Sequence, residues 1–264
     1  MRPASVIVAI LALLTGANAS RAATCNPATF RIVLDVGHTV SSPGAISARG
    51  VPEYQFNVKL ARRIEQELRD GGFAKTTVLI TQGDGREQLL RRARSANAIA
   101  PNIFISIHHD SNDAGYMTWW MPNGIKRFHS DKFAGFSLFV ARDHREARAS
   151  LALARLIAKE LIDRDLKFTL HHAHNEYGPS RTLIDPSLGI YRYDELVVLR
   201  ESNAPAVLFE AGVIVNRAEE SALAAPERQN AIAAAVHAAV VKYCEAAPRL
   251  RAPPRRAPRF MRKK

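Results

Sequence analysis

Three short apolar runs constrain this chain most, because each leads into a side chain that can hold a metal or move a proton. Residues 31–35 (RIVLD) run through Val36 and Gly37 into His38, residues 103–107 (IFISI) into His108, and residues 206–209 (AVLF) into Glu210. Short, nearly continuous apolar runs predict strands buried on both faces, as in a parallel sheet covered by helices. The segments between them carry helical periodicity. Phe56, Leu60, Ile64 and Leu68 fall four apart over residues 52–69, with Pro52 suited to a first turn and Gly71-Gly72 to a stop. Residues 76–80 (TTVLI) predict a strand and residues 87–99 a helix stopped by Pro101. Residues 151–161 and the alanine-rich 226–243 predict two further helices, and residues 196–199 a short strand. Alternating strands and helices imply an α/β fold: one layered domain, a twisted, mostly parallel sheet flanked by helices, with the active site at the carboxyl ends of the strands. Residues 116–148 and 167–192 lack this order and read as loop-rich insertions near the mouth of the site.

The ends of the chain are of different material. Arg2, the apolar run 6–14 and the small residues up to Ala23 come in the order of a secretory signal, so 1–23 reads as a signal peptide. No other stretch is long and apolar enough to cross a membrane, and the expectation is an exported protein, periplasmic or secreted. Cys25 and Cys244, the two cysteines, flank the domain. In an oxidising compartment they either bridge its ends or stay as two thiols. The domain itself is assigned to 24–247. Residues 248–264 hold six arginines, two lysines and no acid, and supply much of the net charge of +12. Such a segment buries too little apolar surface to fold and reads as a disordered basic tail. It is either a solubilising tail or one drawn to envelope polyanions, and export argues against nucleic acid as its partner.

If the three principal strands are neighbours, His38, His108 and Glu210 converge. Glu53, in the first turn of the first helix, follows a flexible stretch, Ser41-Ser42-Pro43-Gly44, that lets the helix start swing back over the strand ends. Two imidazoles and one carboxylate with an open fourth position make a catalytic zinc set, in which the metal lowers the pKa of a water to roughly 7. A second carboxylate outside the ligand set is then needed to shuttle the proton, and Glu210 fits that task. Singly, a histidine after a strand is ordinarily structural, and a glutamate at a helix start ordinarily serves the helix dipole. The information lies in the joint pattern.

The residues in order resemble the zinc-dependent N-acetylmuramoyl-L-alanine amidases of the type-3 amidase fold. Leu34-Asp35-Val36-Gly37-His38 resembles that family's strand-Asp-x-Gly-His opening. Pro43-Gly44-Ala45 and Gly50-Val51-Pro52-Glu53 resemble its Pro-Gly-Ala and Gly-x-x-Glu. Leu90, Arg92, Ala96 and Asn97 resemble its Leu-Arg-Ala-Asn helix, displaced by one residue. Phe104-Ile105-Ser106-Ile107-His108 and Pro205 through Glu210 to Gly212, followed by Asn216 and Glu219 or Glu220, resemble its later strands. The resemblance implies His38, Glu53 and His108 as ligands of one zinc ion and Glu210 as the catalytic carboxylate. The implied reaction is hydrolysis of the amide joining N-acetylmuramic acid to L-alanine in peptidoglycan. It also implies a protein activator in those relatives whose inserted helix blocks the zinc. Thr39-Val40 after His38, Gln82 in place of an arginine, and His109-Asp110-Ser111-Asn112 after His108 depart from the pattern without removing a ligand. If the strand continues, His109 points away from His108. Two other readings keep much of this chemistry: a catalytically silent peptidoglycan-binding protein, and a zinc hydrolase of another cell-wall amide.

Two further features need a reading. His171, His172, His174 and Glu176 form a tract open to a second structural metal or to a substrate-contacting or regulatory loop over the zinc. Trp119-Trp120 reads as packing in preference to an exposed sugar-facing platform.

Overall fold

The principal strands do lie side by side. The computed structural model describes residues 25–174 and 176–250. Strand β1 (Ile32–Val36) pairs in parallel with β2 (Thr76–Leu79) on one side and with β3 (Ile103–Asp110) on the other. β3 then pairs in parallel with β9 (Ala206–Val213). Every residue of β1 is buried, as expected of a strand between covered faces. The full sheet has seven strands in the order β2-β1-β3-β9-β6-β8-β7, and β4 (Thr118–Trp120) and β5 (Arg127–His129) form a separate hairpin.

Helices cover both faces. On one, α1 (Glu53–Asp70), α3 (Ala147–Ile162) and α6 (Pro226–Leu250) pack on Ile32, Leu34, Ile105, Ile107, Val207 and Phe209. The stripe Phe56, Leu60, Ile64, Leu68 faces this core, and each of the last three, fully buried, contributes about 1.5–3 kcal/mol. On the other face, α2 (Gly85–Ile99) and α4 (Val197–Arg200) cover Val33, Phe104, Ala206 and Leu208. Helix α5 (Arg217–Ala224) follows β9, capped by Asn216, whose side chain accepts from the N–H groups of Ala218 and Glu219. A disulfide joins Cys25 to Cys244 on α6, so the two ends of the domain are bridged. No helix among the described residues is long and apolar enough to cross a membrane. The expected signal peptide, 1–23, lies outside the described residues. Helix α6 extends to Leu250, the third residue of the basic segment, and the rest of that segment also lies outside them.

The structure corrects two readings. Residues 196–199 are not a strand: Val197–Arg200 form a helical turn whose valines and leucine bury against the sheet. Four apolar residues fit either element, and periodicity cannot separate them. The segments read as loop-rich insertions also supply core strands. β6 (Ser137–Val140), wholly buried, pairs antiparallel with β9 and parallel with β8 (Ile190–Arg192), which pairs antiparallel with β7 (Leu183–Asp185). The sheet is therefore mixed, parallel through its site-bearing half.

Beneath the site lies a buried ion pair. Arg92 on α2 donates from Nε to Asp35 Oδ1 at 2.9 Å and from a terminal nitrogen to Asp35 Oδ2. Ser106 Oγ donates to Asp35 at 2.8 Å and accepts from Arg92 at 3.1 Å. The motif residues Asp35 and Arg92 thus tie β1, β3 and α2 together and carry no chemistry of their own. Arg92→Ala leaves Asp35 charged, buried and uncompensated, and is expected to cost about 3–5 kcal/mol in urea unfolding. The double variant Asp35→Leu/Arg92→Leu is expected to lose clearly less.

Candidate functional site

Each donor is delivered by a different local device. His38 follows β1 after one residue, Gly37, and lies in the left-handed region, with φ 66°. That conformation costs a non-glycine residue on the order of 1–3 kcal/mol, and such outliers gather at functional sites. Glu53 is the first residue of α1, where Pro52 caps the helix in extended conformation and the helix dipole favours a carboxylate. His108 stands on β3 just before its register with β9 breaks between His108 and Asp110.

Glu53 gathers the group. Its Oε1 lies 3.0 Å from His108 Nδ1 and its Oε2 3.0 Å from His38 Nε2. Oε1 also accepts the His109 backbone N–H at 3.2 Å, and Oε2 the Ala45 N–H at 3.1 Å. Burial alone would raise the Glu53 pKa, but hydrogen bonds to His108 and His38 outweigh it and hold the carboxyl well below the usual range. Burial lowers the His108 pKa against the pull of Glu53, which favours the neutral imidazole that a metal requires. Ligand atoms of His38, Glu53 and His108 all lie within 4.8 Å of one another.

This donor set fits a zinc ion: two imidazole nitrogens and a carboxylate converge, and small residues make room for them. A Cβ on Gly37 would stand 2.4 Å from His108 Nε2, and one on Gly44 2.4 Å from Glu53 Oε2. Gly44 also holds φ 78°, which any side chain would strain.

Glu210 lies beside this group as the register partner of His108 across the β3–β9 pair, on the same face of the sheet. Its Oε2 is buried without a hydrogen-bond partner. Burial, then the charges of Asp110 and Glu53, push its pKa well above the usual range, so it binds a proton far more readily than an exposed carboxylate.

His109 lies across the sheet from His108, as alternation predicts. Its ring meets Phe56 on α1, and its Nδ1 is 2.7 Å from Asn57 Oδ1. Asn57 Nδ2 donates to Glu53 Oε1 and to the Gly37 carbonyl, each at 3.1 Å, so the amide oxygen must accept and His109 Nδ1 must carry the proton. Burial pushes the His109 pKa down to about 4. Sequence reading missed Asn57. Its one signal was its place four residues after Glu53, one helical turn along the same face.

The histidine tract divides. His171 and His172 turn to Asp110, while His174 is exposed and the Glu176 carboxylate approaches Lys132 at 3.6 Å. The tryptophan pair divides too. Trp120 is half-buried and donates from its indole to the Ala48 carbonyl at 2.9 Å, but Trp119 is 61% exposed, against the packing expected of it.

Fold and site together define a layered α/β protein with a histidine–carboxylate centre at the carboxyl end of its sheet. The chain belongs to the N-acetylmuramoyl-L-alanine amidase family, whose model matches residues 32–242. It is 25% identical over 235 residues to the N-acetylmuramoyl-L-alanine amidase AmiA of Escherichia coli, covering 80% of this chain and 75% of AmiA. The catalytic domain of CwlV, an N-acetylmuramoyl-L-alanine amidase from Bacillus (Paenibacillus) polymyxa var. colistinus, superposes with TM-score 0.58 at 26% identity. That match covers 81% of this chain and 97% of CwlV's. The amidase Ami1 of Mycobacterium smegmatis shares the fold with TM-score 0.61 at 17% identity, over 83% and 98% of the two chains.

Asn57 positions Glu53 without itself belonging to the donor set. Asn57→Ala is expected to weaken divalent-metal binding by about 10- to 100-fold, the usual effect of removing a group that orients a ligand. Competition with a chromogenic chelator measures it, and unchanged affinity would refute the role.

Proposed function

We propose that this chain is an exported zinc-dependent N-acetylmuramoyl-L-alanine amidase. It hydrolyses the amide between the lactyl group of N-acetylmuramic acid and the L-alanine of the stem peptide in bacterial peptidoglycan. The observation that carries this reading is the convergence of His38, Glu53 and His108 beside Glu210, in a chain of this family. His38, Glu53 and His108 would hold one zinc ion, which when bound supplies Lewis acidity toward a carbonyl and a water of lowered pKa.

The chain's own residues supply the rest. Glu53 arrives ionised and fixed through both oxygens, so little ordering remains when the metal enters. Glu210, with a raised pKa and its Oε2 unpartnered, accepts the proton released when water adds to the amide carbonyl. It then returns that proton to the departing amine nitrogen. The burial that raises its affinity for a proton also excludes water that would otherwise compete for it.

Export rests on residues 1–23. The bridge between Cys25 and Cys244 suits the oxidising compartment that such a signal leads to. The basic segment 248–264, with its eight arginines and lysines, is matched to anionic polymers of the envelope.

Glu210→Gln is expected to lower kcat by about 10²- to 10⁴-fold. Chelation is expected to abolish activity and added zinc to restore it. Mass spectrometry of digested sacculi should find free stem peptides and bare glycan strands. Shortened stems would instead make the enzyme a peptidase, and no release by the zinc-loaded wild type would make the chain a binder. Deleting residues 251–264 should leave turnover of soluble muropeptides intact but weaken binding to whole cell wall at low salt. Salt should weaken the binding of the full chain in the same way. Equal low-salt binding with and without the segment would refute its role.

A further inference from the structure

The register break at the end of β3 has a second consequence. Pairing with β9 passes from His108↔Glu210 to Asp110↔Val213, and an irregularity of this kind re-aims the side chains that follow it. Asp110 is held there at both ends: its carbonyl accepts the Ile214 N–H at 3.0 Å, and its Oδ1 accepts the Ser111 N–H at 2.8 Å. Its Oδ2 faces two imidazoles from the segment between β6 and β7. His172 Nε2 lies 2.6 Å away and His171 Nε2 3.3 Å away.

The two imidazoles are not equivalent. His172 Nε2 is hydrogen-bonded to Asp110. His171 Nε2 is buried and lacks a hydrogen bond of acceptable geometry, although its residue is only 8% exposed. The ring of His171 is fixed from behind. Its Nδ1 lies 3.0 Å from Thr169 Oγ1, and its face stacks on Phe133 at 5.0 Å. A metal-binding histidine is oriented in this way, with one ring nitrogen held by a neighbour and the other left for the ion. The two rings lie 3.9 Å apart, a proximity that two imidazolium cations would oppose and one shared cation would favour. The ligand atoms of Asp110, His171 and His172 all lie within 4.8 Å of one another, as at the first centre. The same residues line a cavity of about 340 Å³. Asn112 lines it too, with its amide oxygen and nitrogen both buried and unpartnered, so a further oxygen donor is at hand.

We propose that Asp110, His171 and His172 form a second divalent-metal site, distinct from His38–Glu53–His108 and suited to zinc or a related first-row transition ion. Two imidazoles and one carboxylate select such ions over calcium and magnesium, which favour all-oxygen sets. The bound ion ties the segment that carries His171 and His172 to the end of the strand that carries His108. The segment thereby becomes a fixed wall of the active-site mouth. The spacing of His171 and His172 signals a metal in the sequence, but the partner is Asp110, some sixty residues earlier, in place of His174 or Glu176.

The test is metal content. Full-length mature protein is loaded with zinc, desalted and measured by inductively coupled plasma mass spectrometry. Two ions per chain are expected for the wild type. One is expected for His171→Ala/His172→Ala and one for His38→Ala. Should the double variant fail to fold, His172→Gln, which retains a hydrogen-bond donor toward Asp110, is expected to hold one. A wild-type content of one ion that His38→Ala abolishes and His172→Gln retains would overturn the second site and leave the zinc amidase reading standing. One ion that His172→Gln loses and His38→Ala retains would establish this site and overturn zinc binding at the first.

Discussion

Everything at the mouth of the sheet depends on the carboxylate of Glu53. It is buried, which penalises its charge, yet it stays ionised because donors approach both oxygens. Those donors come from the loop after β1, from α1 and from the end of β3, and Asn57 joins the same three elements a second time through the Gly37 carbonyl and the His109 ring. The carboxylate therefore acts first as a fastener among these elements. Remove its charge, and His38, Ala45, His108 and the His109 N–H each lose a partner at once. Because the imidazoles are already drawn in around it, a metal entering here would meet a formed site.

Holding that arrangement requires a rigid frame, and the frame is also built from buried carboxylates that accept from other elements. Beneath the site, Asp35, Ser106 and Arg92 lock the strands to α2. On the flank, Glu219 accepts the N–H groups of Gly135 and Val213, joining the approach to β6 to the end of β9 just beyond Glu210. Glu220 accepts from the Arg49 backbone N–H at 3.1 Å and from the Arg49 guanidinium at 2.6 Å, which anchors the loop running from His38 to Glu53. These groups do no chemistry. They fix the backbones that carry the groups that do, which is what a pre-organised site requires.

The sequence displays the donors more clearly than their supports. His38, His108 and Glu210 were legible because each follows an apolar run short enough to be only a strand, and strand ends are where α/β proteins place their sites. Glu53 was legible from its place in a helix start after a flexible loop, and the family resemblance set all four in one frame. Asn57 and Asp110 were not legible. Asn57 looks like any polar residue on a helix until its neighbours are known. Asp110 is re-aimed by a register break that no local pattern announces. The buried strand β6 was missed because SLFV, one serine and three apolar residues between turns, gives too few points for a period of two. Residues 196–199 were misread for the same reason, so the ambiguity of very short apolar runs accounts for both errors.

The end of β3 shows how one strand can serve several demands. His108, His109 and Asp110 are consecutive, yet each faces a different partner: Glu53, Asn57 and the His171–His172 pair. Regular alternation gives a strand only two directions, and the break in pairing with β9 supplies the third. Glu210 sits opposite this break, and the two carboxylates that raise its proton affinity, Asp110 and Glu53, are those delivered on either side of it. Burial is the larger cause of that raised affinity, and the charge delivered at the register break adds to it. The end of one strand thus reaches both the His38–Glu53–His108 group and the His171–His172 pair, and Glu210 stands between the two carboxylates that serve them.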